Sequence, residues 1–61
     1  MIQNSLRSPT KEELQRDWRR NLLFHIEQAR NALARGDRGL CSSHEIQIAH
    51  SEKVLSELEA I

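Results

Sequence analysis

The feature that most constrains this chain is a single break, Gly36-Asp37-Arg38-Gly39, between two long stretches free of helix breakers. Glycine ends a helix readily because it reaches the left-handed region without a steric penalty. Residues 11–35 contain neither Gly nor Pro, and neither do residues 40–61. Two helices joined by so short a turn pack as antiparallel neighbours. The expected fold class is therefore all-α. It is an antiparallel helical hairpin, with helix 1 over about 11–35 and helix 2 over about 43–60.

Local signals support both helix starts. Thr10 and Glu13 form a capping box, in which the Thr hydroxyl accepts from the Glu13 amide and the Glu carboxylate accepts from the Thr10 amide. Glu12 and Glu13 also suit the positive end of a helix. Residues 1–9 show no clear period and are expected to be a flexible lead. Residues 10–61 then form the single hairpin domain. Ser42 and Glu45 make a second capping box, flanked by Cys41 and Ile46, and place the start of helix 2 there.

On a helical projection, Leu14, Trp18, Leu22, His25, Ile26, Ala29, Ala32 and Leu33 share one broad face of helix 1. The apolar residues of helix 2 cover roughly 200° of its surface, too wide for one neighbour. One edge, Ile46, His50, Val54 and Ile61, is expected to meet helix 1. The other, with Ile48, Leu55 and Leu58, is expected to meet a second chain.

Size argues the same way. A chain of 61 residues buries only about 60% of its unfolded surface and needs help to be stable. One cysteine cannot make an intramolecular disulfide, and it fits a reducing compartment. Self-association is the remaining remedy, with a homodimer forming a four-helix bundle as the expected assembly. No run of apolar residues reaches the length of a membrane span, so a cytoplasmic location is expected, with no membrane partner.

Candidate chemistry is sparse. Cys41, His44 and His50 only loosely resemble metal-ligand spacing. His44 and His50 point to different sides of a regular helix, so no metal and no cofactor are expected. A pair of helices provides no enclosed pocket or oxyanion hole for Ser42, Ser43 or Cys41, so the chain reads as non-enzymatic. His25 and His50 are expected at similar heights on core-facing edges, as a pH-sensitive pair. Burial disfavours the charged imidazolium, so such a pair loses stability on acidification.

Charge is zero overall but unevenly spread. Residues 1–39 carry eight basic and five acidic groups, a net +3, and residues 40–61 carry one basic and four acidic, a net −3. Arg16, Arg19 and Arg20 project from helix 1 away from its core face and could contact phosphates. Interleaved acids at i+3 and i+4 suggest ion pairs instead: Glu12 with Arg16, Asp17 with Arg20, Glu27 with Arg30. Phe24 lies off the apolar stripe beside Leu23, and an exposed aromatic near arginines is the composition of a binding hot spot. Leu23, Phe24, Arg16, Arg19 and Arg20 are the candidate partner-binding residues, with a protein as the expected partner.

The two capped helices around one turn resemble the small helical-hairpin regulators of phages and plasmids. The dimeric RNA-binding Rop hairpins have this layout, and the early-region proteins of lambdoid phages are similar in size. The resemblance implies a phage- or plasmid-encoded accessory protein acting in the host cytoplasm by binding another protein. Its Rop-like form implies nucleic-acid binding through the arginine face of helix 1.

Overall fold

The computed structural model describes residues 8–61; residues 1–7 of the expected lead lie outside the described residues. The described chain forms two helices, α1 from Lys11 to Ala34 and α2 from Arg38 to Glu59, packed against each other as a hairpin. No strand occurs among the described residues.

The start of α1 follows the expected chemistry. Thr10 Oγ1 accepts from the Glu13 amide at 3.1 Å, and the Thr10 amide donates to Glu13 Oε1 at 2.8 Å. Together they satisfy two amides that no helical carbonyl can reach. At the other end Gly36 has φ 77°, the left-handed conformation. The Asp37 amide donates to the Ala32 carbonyl at 2.8 Å, and the Gly36 amide donates to Leu33 at 3.0 Å. This pair of bonds is the Schellman closure, which uses a glycine to turn the chain out of a helix.

α2 begins five residues before the expected start, and its cap is Asp37 rather than Ser42. Asp37 Oδ1 accepts from the Leu40 amide at 3.0 Å. The reason is economy of backbone partners. Asp37 has already left helical geometry to close α1, with φ −91° and ψ 85°. Its carboxylate is therefore placed to cap the next helix at once. A start at Ser42 would leave the amides of the intervening exposed residues to water instead of to the Asp37 cap and helical carbonyls. Ser42 and Ser43 fall inside α2, where the Ser43 hydroxyl donates to the Gly39 carbonyl at 3.2 Å.

The earlier start goes with a different inward face. The residues of α2 that are buried or half-buried include Cys41, His44, Ile48, Ser51, Leu55 and Leu58, a 3-4-3-4-3 spacing. On α1 they include Leu14, Trp18, Asn21, His25, Ala29 and Ala32. Among the described residues the fully interior set is small: Ala29, Ala32, Cys41, Ser51 and Leu58. Ile48 packs against the cluster of Ala29, Ala32 and Cys41. The inward face of α2 is thus rotated from the expected one. Ile48 and Leu58, expected to meet a second chain, serve the seam within the chain, with Leu55 half-buried beside them. Of the edge expected to meet α1, His50 packs on Trp18 and Val54 is half-buried, whereas Ile46 and Ile61 are exposed. Leu33, expected in the α1 core stripe, is also exposed. The rotation has a physical cause. Two members of the true seam, His44 and Ser51, are polar, so hydrophobicity alone favours the wrong phase.

Candidate functional site

Two polar contacts hold the centre of the seam. Asn21 Nδ2 donates to Ser51 Oγ at 2.9 Å, and Ser51 is completely buried. Closer to the turn, the Nδ1 atoms of His25 and His44 lie 2.8 Å apart, so one ring donates a proton and the other accepts it. No buried side-chain polar atom among the described residues lacks a partner. The expected pairing of His25 with His50 is not the one formed. His50 sits edge-on to Trp18, with ring centroids 5.4 Å apart, and His44 takes its place beside His25. Moving the start of α2 back to Asp37 leaves His50 too far along its helix to face His25.

Phe24 roofs the histidine pair. Its ring stands edge-on to His25 at 5.2 Å and to His44 at 6.5 Å, geometries favoured by the ring quadrupole. The other side of the ring is uncovered, and the residue is 53% exposed. Phe24 lines an open hollow with Asp17, Arg20 and Asn21. The hollow adjoins a second one lined by Asp17, Trp18, Asn21, Gln47 and His50. Together they form a shallow trough along one side of the hairpin, with aromatic rings, amides, one aspartate and one arginine along it. Leu23 is more exposed still, at 61%, but projects from the back of α1 rather than into the trough.

The arginines are placed as expected, on the exposed surface of α1. Their acid partners are not. Among the described residues an ion pair joins Arg16 to Asp17 at 3.9 Å, with both side chains mostly exposed. The pairs Glu12–Arg16, Asp17–Arg20 and Glu27–Arg30 do not close. Exposed pairs of this kind contribute at most about 0–1 kcal/mol, too little to hold long side chains in one geometry. Arg19 and Arg20 form no ion pair among the described residues, and Arg20 lies at the edge of the Phe24 hollow, which Asp17 also lines.

Cys41 is buried against two alanines, and Ser43 is engaged with the backbone. Among the described residues no three His, Cys, Asp or Glu side chains gather as a metal site. No helix among them is long and apolar enough to cross a membrane. Sequence reasoning overlooked His44 as the partner of His25 beside Phe24. Its i+3 position from Cys41, on what proves to be the seam stripe, was the available signal.

Comparison with known protein families, with curated proteins and with solved structures finds no match for this chain.

Proposed function

We propose that this chain is a small non-enzymatic accessory or regulatory protein that binds another protein through the trough beside Phe24. The observation that carries the reading is the state of Phe24. Its ring is held edge-on by His25 and His44, yet half of its surface is open next to Arg20. An aromatic that is already fixed loses little conformational freedom on binding, and aromatic and arginine side chains dominate interface energetics. Such a protein suits the cytoplasm of a host cell and the economy of a phage or plasmid, in keeping with the hairpin regulators it resembles.

The test is affinity capture from nuclease-treated host lysate with the parent chain, Phe24→Ala and Arg20→Glu. A partner retained by the parent and lost by both variants, with helix content unchanged by circular dichroism, supports the reading. Equal capture by all three refutes it.

A second reading is favoured by one observation, that neither Glu12–Arg16 nor Asp17–Arg20 pairs as expected among the described residues. In that reading Arg16, Arg19 and Arg20 bind nucleic-acid phosphates in the manner of a Rop-like modulator. Binding that falls steeply with salt, and is lost in Arg16→Glu with Arg20→Glu, distinguishes it from protein recognition.

A further inference from the structure

The side of the hairpin opposite the Phe24 trough carries a second apolar stripe. Leu22 and Ile26 lie one turn apart on α1 and are only half-buried, with Leu33 exposed two turns further on. Ile48 and Leu55 continue this surface on α2. Leu33, Cys41 and Glu45 line one hollow, so stripe and α2 edge share this side. Beside Ile48 and Leu55 runs a row of exposed acids, Glu45, Glu52 and Glu59, at exact seven-residue spacing. Beside Leu22 on α1 stand Arg19 and, two turns earlier, Lys11. None of these five charged groups forms an ion pair among the described residues.

The interior of one hairpin is also too small for its length. Among the described residues the buried ones are two alanines, a cysteine, a serine and one leucine, and the largest fully buried side chain is Ser51. Chains this short need additional burial, and this one has no disulfide to replace it.

We infer that this face is covered by a second copy of the chain, related by a two-fold axis parallel to the helices, so that each α1 lies on the partner's α2. The charge pattern selects that axis. In the hairpin Asn21 meets Ser51, so Arg19 is level with Glu52 and Lys11 with Glu59. An axis parallel to the helices preserves these levels and sets the basic edge of each α1 on the acidic edge of the partner's α2. An axis across the helices instead lays α2 on α2 and opposes two rows of glutamates, which like-charge repulsion disfavours. An amphipathic helix with a basic edge is the occupant that the acidic row fits, and the chain's own α1, with Lys11 and Arg19 beside its apolar stripe, is one. The inference does not depend on what the Phe24 trough binds. It leaves two such troughs on opposite outer sides of the dimer.

The experiment is sedimentation equilibrium on the full chain and three variants, Arg19→Glu, Glu52→Lys and the two combined. Circular dichroism confirms that each remains helical. The parent is expected to be a dimer. Each single reversal should weaken dimerisation at least about tenfold, and the combination should restore most of it. A parent that remains monomeric at high micromolar concentration overturns the inference. So does a double variant no tighter than the singles. A Glu52→Lys variant that dimerises more tightly than the parent points to the crossed axis and overturns the arrangement.

Discussion

Asn21 and Ser51, thirty positions apart in the sequence, share a 2.9 Å hydrogen bond at the centre of the helix–helix seam. The Ser51 hydroxyl is out of reach of solvent, so this amide is the long-range partner that satisfies it. Ser51→Ala should therefore destabilise the fold by about 1 kcal/mol, the typical net worth of such a bond. Asn21→Ala should cost a similar amount. The double variant should cost less than the two single values added, because the same bond is lost once. Urea unfolding of the four proteins completes the cycle, and strictly additive values would show that the bond contributes nothing.

The histidine pair joins the two helices through one hydrogen bond, with the Nδ1 atoms of His25 and His44 2.8 Å apart. Such a bond requires one ring N–H donor and one bare ring nitrogen as acceptor. His44→Ala should therefore cost about 1 kcal/mol of stability, and the cost should shrink when His25 is already alanine. Urea unfolding at neutral pH measures both, and an equal cost in either background would show that the bond contributes nothing.

The helix 2 cap can be located by substitution. Asp37→Ala should cost about 1 kcal/mol, in the usual range for loss of an N-cap oxygen. Ser42→Ala should change stability by less than about 0.5 kcal/mol, because Ser42 is an exposed residue within the helix. Chemical denaturation at neutral pH separates the two, and a larger loss from Ser42→Ala would restore the later start.

These two positions also show where sequence reading reaches its limit. The α1 boundaries were legible because Thr10, Glu13 and Gly36 act locally, each through a bond to a residue at most four positions away. The start of α2 was not, because Asp37 and Ser42 both carry suitable side chains. The choice depends on the Schellman closure that displaces Asp37 from the preceding helix. The inward face was misjudged for a related reason. Ser51 and His44 belong to the seam through partners on α1, Asn21 and His25, which no periodicity within α2 can reveal. At the candidate site, Phe24 and the arginines were recognisable by residue type and by lying off the stripe. The histidine support beneath Phe24 depended on the register and was hidden with it.

The thiol of Cys41 reports on the turn end of the seam. It packs against Ala29 and Ala32 and is almost inaccessible. Its reaction with a disulfide reagent should be slow in native buffer and rise in parallel with unfolding as urea is added. Prompt reaction under native conditions would mean that this end of the hairpin opens independently of the rest.

Only Arg35, Gly36 and Asp37 separate the two helices, and Gly36 alone has positive φ. Space is no obstacle to a β-carbon there, since nothing approaches within 4 Å. The obstacle is conformational, at roughly 1–2 kcal/mol for a residue with a side chain in the left-handed region. That modest sum decides the connectivity of the whole fold. With alanine at 36, α1 and α2 could run on as one continuous rod, and two rods lying side by side could make the Asn21–Ser51 and His25–His44 contacts between chains instead of within one. Gly36 is the residue that makes each copy its own partner across this seam.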